Sequence, residues 1–483
     1  MIRRWWLALL VGGIGFGVTA PQMSAQEELT IRVETKLSVK DMRDGRKPLK
    51  DPNADKAAQN LKDIQETTNY LVMRLTDDVN RGLKSGKTPV PASKIVQDAS
   101  ELVLESPLPP KKFDEKQIAY VEAFGKAIMP PLRKVILGEK DKPSKYEPLV
   151  RVNATRILSA VAKSGYPEVA ALAVDILSNP KENDSVNFYA LQALKHVFAA
   201  ASPENTDKST ITNADLEKRA IKTLIDFVHR PLPIPKDSPE SEIEAFHYVR
   251  REAIRALGNV RHPAIRSGKT IEMSPALVLL RFSVGAPAIQ PAPNLYERVE
   301  ALIGYLQLNP DRDEQMDFAG FYVGTAIRLI MADFNGRKDP LVIPKEPGAK
   351  IESFPMPKHP DYHPWRLTAT RLIDVLKAWK TNWEVNAPQP APEVKKIMDE
   401  VTSQATENLL APLTAGTLPK SPISLSDFDA FLQRERANVK SQSLFRDDPK
   451  SLVWIAAFEA PPEKKDDGKT PAPSTPAPPP KGK

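Results

Sequence analysis

At 483 residues, 41% hydrophobic and 27% charged, the chain has apolar surface enough for two or three ordinary domains or for one extended array. It has no cysteine, which excludes disulfides, thiolate nucleophiles and cysteine-ligated zinc or iron–sulfur sites. The formal net charge is +7, but Arg3, Arg4 and residues 461–483 supply more than half of it, so the body lacks the concentrated positive field of a dedicated nucleic-acid binder.

The first residues, MIRRWWLALLVGGIGFGVTAPQMSAQEE, place two arginines before an apolar run from Trp5 to about Ala20, with small residues after it. That layout predicts a secretory signal peptide over 1–25, with cleavage after Ala25 and a mature chain beginning at Gln26. The run is shorter than the ~20 residues a membrane span needs, so no span is expected after cleavage. The alternative is an anchor that stays attached.

Residues 26–53 read as an extended N-terminal segment, because ELTIRVETKLSV (28–39) alternates as a short strand does. An N-terminal helical region follows over 54–112, with a helix predicted at 54–84.

From residue 113 a pattern recurs. Val150, Ala154, Ile157, Leu158 and Val161 fall on one face of a helix, and the same template returns as Val186, Ala190, Ala193, Leu194, Val197 and as Val249, Ala253, Ala256, Leu257, Val260. Weaker copies begin at Glu297 and at Trp365, the latter with Ala369, Leu372, Ile373 and Leu376. Roughly 36 residues separate Val150 from Val186; roughly 40 separate Val186 from Val249 once the polar, proline-bearing stretches 202–213 and 231–241 are set aside, near the ~40-residue period of a two-helix repeat. Partner helices are predicted between copies: Val169, Leu172, Ala173 and Ile176 form one stripe and Ala220, Ile221, Leu224 and Val228 the next, with Thr212 and Asp215 as its cap.

VRREAIRALGNV and VRVNATRILSAV resemble the second helix of HEAT-like repeats, in the variant also found in phycobilisome-lyase-type proteins. The likeness covers residues 113–310 and extends more weakly to 383; Asn187 stands where two of the copies have arginine. The resemblance implies an all-α, right-handed α-solenoid of helix pairs over 113–383, acting through its extended surface as a protein-binding scaffold. A lyase-like role in attaching a chromophore and a structural role in the cell envelope are the rivals.

A C-terminal helical region is predicted over 384–460, with a helix at 394–411 and SLVWIAAF (451–458) apolar enough to dock on the body. Residues 461–483, PPEKKDDGKTPAPSTPAPPPKGK, predict a disordered, partly polyproline tail.

No catalytic, cofactor-binding or metal site is assigned, and no cofactor is expected. The tripeptide GKT begins at 86, 268 and 468, but a phosphate loop needs a glycine five residues earlier, where Arg81, Pro263 and Glu463 stand. Neither GxSxG nor HExxH occurs, and His196, His229, His247 and His262 are scattered singly. His359, Asp361 and His363 are close enough to hold a metal, but Pro360 and Pro364 favour a rigid turn leading into a helix near Trp365. Arg250, Arg251 and Arg255 lie off the apolar stripe and predict a solvated face, with Glu252 pairing to Arg255. Arg151, Arg250 and Arg366 each follow the first residue of a copy, and are expected to brace a neighbouring turn through a carboxylate or carbonyl. The chain therefore reads as an exported, periplasmic or cell-envelope, non-enzymatic scaffold for a protein partner, with the partner-binding residues unassigned.

Overall fold

The computed structural model describes residues 33–84, 88–106, 113–139, 142–200, 211–231, 239–336, 362–386, 392–406, 426–439 and 443–451. The predicted signal segment, nearly all of SLVWIAAF and the tail lie outside them. The described residues are mostly helical, as the apolar periodicity requires.

Helix starts follow side-chain chemistry. Asn53 opens α2 (Ala54–Met73), Asn183 opens α7 (Asp184–Ala199) and Asn213 opens α8 (Ala214–Val228), each accepting backbone N–H groups that the first turn leaves free. Reciprocal capping boxes, Asp114 with Gln117 and Asn294 with Glu297, open α4 (Glu115–Ile136) and α11 (Leu295–Gln307). Thr212 is not the cap of α8: Asn213 is, its Oδ1 accepting from the N–H groups of Asp215 and Leu216.

The N-terminal segment departs from expectation. Residues 33–43 form a helix, α1, rather than an extended strand, because Val39 and Met42 are buried against α2 and α4, and that contact outweighs a short run of alternation. The predicted helix at 54–84 is shorter, ending at Met73 with a single 3-10 turn over Arg74–Thr76.

The remaining helices are α3 (Ala92–Ser100), α5 (Pro148–Ala162), α6 (Glu168–Leu177), α9 (Glu240–Leu257), α10 (Pro275–Val284), α12 (Met316–Gly336), α13 (Tyr362–Asn386), α14 (Pro392–Gln404) and α15 (Ser426–Asn438). They pack in two rows. Helices α3, α5, α7, α9, α11 and α13 contact one another in that order, and so do α2, α4, α6, α8, α10 and α12. Sequence neighbours cross between the rows, α4 on α5, α6 on α7, α8 on α9 and α10 on α11. The N-terminal pair α2 and α3 thus continues the rows, and one buried apolar cluster runs from Val39 to Phe445.

The template residues of the three strong copies, on α5, α7 and α9, are all buried, most of them completely. Val260 lies just past the end of α9, yet is buried as well. Among the described residues two small hairpins interrupt the helices: β1 (Gly138–Glu139) with β2 (Lys142–Pro143), and β3 (Ile265–Ser267) with β4 (Thr270–Met273). The second GKT forms the turn of the latter, with Gly268 at φ 60°, so it is a hairpin bend and not a loop entering a helix. No described helix is long and apolar enough to cross a membrane.

Candidate partner-binding groove

The helices α5, α7, α9 and α11 lie side by side, so residues at equivalent template positions come to face one another. The first consequence is internal. Arg250 on α9 is fully buried, and its Nε and Nη2 donate to the two carboxylate oxygens of Glu297 on α11 at 2.6 and 2.8 Å. Its Nη1 donates to the carbonyl of Pro291 at 2.9 Å, and the rings of Phe246 and Phe282 lie 5.1 and 5.4 Å from the guanidinium. Glu297 also accepts from His247 Nδ1 at 2.8 Å and from the backbone N–H of Asn294 at 2.9 Å. Burial by itself would push the Glu297 carboxyl up; the hydrogen bonds from Arg250 and His247 outweigh it and hold the pKa below the usual value.

Arg250 therefore contradicts the solvated-face expectation and meets the bracing one. Arg151 braces in the same way, donating from Nε to the Ile136 carbonyl at 2.8 Å and pairing with the buried carboxylate of Glu182. Arg366 has no described side chain.

A second set of charges crosses the same row. Lys195 on α7 pairs with Glu252 on α9; Arg255 joins Glu252 at 3.2 Å to Glu300 on α11 at 2.5 Å, and Arg371 on α13 reaches Glu300 at 2.8 Å. The Glu252–Arg255 pair is the one the sequence predicts. Glu300, like Glu297, is pushed up by burial but held low by its two arginines.

Beside these braces an open groove of about 1510 Å³ lies between the α6–α7 turn, the first turns of α7, the end of α8 and the first half of α9. Phe188, Tyr189, Tyr248 and Arg251 line one wall, and they belong to an aromatic and cationic ladder that continues beyond the groove to Arg156 and Tyr296. Arg156 on α5 sits 5.8 Å from the Tyr189 ring, Tyr189 meets Phe188 edge-on at 5.2 Å, and Phe188 stacks on Tyr248 at 5.1 Å. Arg251 then lies 5.1 Å from Tyr248 and 5.5 Å from Tyr296 on α11. Tyr248 is 51% exposed while stacking on Phe188, so one face of its ring is open to solvent. Arg251 is half-buried, has ring contacts only, and its Nε has no acceptor among the described residues. The groove rim bears both signs: Glu244 is exposed, Asp226 pairs with Lys222, and Asp184 pairs with Arg230. This surface offers flat π faces and a desolvated cation, the features that hold peptide segments in place.

The sequence reading did not single out Tyr248, Phe188, Tyr189 or Tyr296. A signal was present: Tyr248 and Tyr296 each immediately precede the first residue of a copy, so stacking brings both to the same edge of the row. Among the scattered histidines, His247 belongs to the Arg250 brace, and burial pushes His196 down to about 4. His359 and Asp361 lie outside the described residues, and His363 falls within α13 without a described side chain. Among the described residues no group of acidic and histidine side chains is placed to hold a metal. No protein-family model matches the chain, and no curated protein matches it at a significant level.

Proposed function

We propose that the chain is an exported, non-enzymatic scaffold: a right-handed α-solenoid of HEAT-like helix pairs that binds a protein partner along the α5–α13 row. Two observations support the architecture. Helices carrying the same template pack on one another in sequence order, and charged residues at equivalent positions, Glu252 with Glu300 and Arg255 with Arg371, link successive copies. Repeat stacking of this kind leaves a long exposed face, which such proteins use for binding. Export rests on the charged, apolar and small-residue order of residues 1–25.

The single observation that carries the binding role is the ladder from Arg156 to Tyr296, which spans four helices and keeps Tyr248 half in solvent beside the groove. The ring is 51% exposed and lies beside Arg251, whose Nε meets no acceptor among the described residues, and aromatic residues and arginine dominate binding hot spots. The test is affinity capture from the native envelope with the parent, Tyr248→Ala and Arg251→Ala. A partner held by the parent and lost by both variants, at unchanged melting temperature, is the expected result. Equal retention by all three chains removes the groove as the binding surface.

A further inference from the structure

We infer that the exposed face of the α5–α13 row takes an acidic, extended segment of its protein partner, with carboxylates recurring about once per helix. The inference rests on the binding role proposed for the ladder and names the chemistry of its ligand.

The residues concerned share one face. On α9, Tyr248, Arg251 and Arg255 follow at steps of three and four, and on α7 Phe188 and Lys195 stand two turns apart, so both sets lie off the buried template stripe. The aromatic and cationic ladder is one line across this face. A second line crosses one to two turns further along the helices, from Lys195 through Glu252, Arg255 and Glu300 to Arg371.

Depth decides the sign that this second line presents. The side chains of Glu252 and Glu300 are 2% and 6% exposed, whereas those of Lys195, Arg255 and Arg371 are 23%, 31% and 42% exposed. Three cations therefore cover two buried carboxylates, and solvent meets the cations. The ladder adds to this charge. Arg156 has Asn153 and the Tyr189 ring beside it, Arg251 has rings alone, and neither has a carboxylate partner among the described residues. Acidic side chains are the counter-charge this face lacks, and complementary charge speeds encounter and fixes register. The rings between the cations favour a peptide over a phosphate polymer, because they offer apolar surface to the residues between carboxylates.

The opposite sign is confined to one end. Glu244, one turn before Tyr248, and Asp226 near the end of α8 are exposed on the groove rim. They repel carboxylates there, so the acidic segment crosses the row on the side of Tyr248 away from that rim. Its length follows from the packing: four helix spacings, about 36 Å from α5 to α13, take roughly a dozen extended residues at ~3.3 Å each, or about three per helix.

Fluorescence anisotropy on the full-length chain tests this with a labelled peptide of about a dozen residues in Glu-Leu-Ser repeats, and with its Lys-Leu-Ser counterpart. The glutamate peptide should bind, the lysine peptide should not, and added salt should weaken the binding. Arg156→Gln combined with Arg251→Gln should weaken it roughly ten-fold at an unchanged melting temperature, and Arg156→Lys with Arg251→Lys should retain most of it. Lys116→Gln with Lys126→Gln, at exposed positions on α4 of the other row, should leave it as in the parent. Equal binding of the two peptides, or a doubly Gln-substituted chain that binds like the parent, overturns the inference. Inorganic polyphosphate that binds where the glutamate peptide does not also overturns it, in favour of a phosphate polymer. Tyr248→Ala separates this inference from the reading it rests on: if that variant still releases the captured partner while the glutamate peptide fails to bind, the site stands and its ligand is not acidic; if it retains the partner, the site itself falls.

Discussion

Arg250 and Glu297, 47 positions apart in sequence, form a two-pronged pair between α9 and α11 in which both side chains are fully buried. The pair explains why the copy beginning at Glu297 breaks the apolar template: the first position is the carboxylate that receives the arginine of the preceding copy. Arg250→Ala leaves that carboxylate without its guanidinium partner and should cost about 3–5 kcal/mol. Arg250→Met combined with Glu297→Leu should cost less than the sum of the two single losses, without full recovery because it also removes the acceptor of His247 and of the Asn294 N–H. Urea denaturation of the two single variants and the double variant measures the coupling; additive losses would show that the contact is not a unit.

The helical class and the buried stripes of α5, α7 and α9 were legible because a 3.6-residue period is imposed by burial of one face. The first residues were not, because alternation over a few positions in 28–39 competes with the packing of Val39 and Met42, which only the folded chain supplies. Arg250 was misread for a related reason. A position off the apolar stripe of one helix becomes interior when the next helix of the row covers it, and sequence periodicity carries no information about that second contact. The groove was less legible still, since Phe188 and Tyr248 are 60 positions apart and meet only through the pairing of α7 with α9.

Leu257 is completely buried on the α9 stripe, so Leu257→Asp places an unpaired carboxylate in the core. The expected loss is several kcal/mol. Thermal melting followed by circular dichroism checks it, and a parent-like midpoint would show that α9 is not packed as described.

Gly258, at the end of α9, lies against Gly304 of α11, where an added Cβ would come within 2.5 Å of the Gly304 Cα. Backbone is on the other side, so no side chain can swing away. Gly258→Ala should destabilise by about 1–3 kcal/mol through overpacking, the reverse of the usual gain from alanine in a helix. A neutral or stabilising result in chemical denaturation would mean that the two helices are further apart.

Glu314 is half-buried and hydrogen-bonded to Tyr305, and desolvation pushes its pKa up to about 7. A carboxyl whose folded pKa exceeds its unfolded one binds its proton more tightly when folded. The resulting stability is present in full below about pH 4.5 and is lost as pH rises through 7, on the order of 3 kcal/mol in all. Glu314→Gln keeps a neutral polar side chain beside Tyr305, so the stability difference between variant and parent should shift toward the variant between pH 5 and 8. Parallel stability curves for the two proteins across that range would contradict the assignment. Glu297 and Glu300, whose pKa values are lowered, contribute in the opposite direction and cancel in the comparison.

Two neighbouring residues of α9 differ in role under the proposed function: Arg250 braces the row through Glu297, and Tyr248, two positions earlier, is the proposed partner contact. One paired measurement tests that division most directly, the melting temperature and partner retention of Arg250→Ala and Tyr248→Ala side by side. The account predicts that Arg250→Ala melts several degrees lower and that Tyr248→Ala melts like the parent but loses the captured partner. A Tyr248→Ala chain that melts lower and keeps the partner would contradict it, as would an Arg250→Ala chain with parent-like melting that no longer binds.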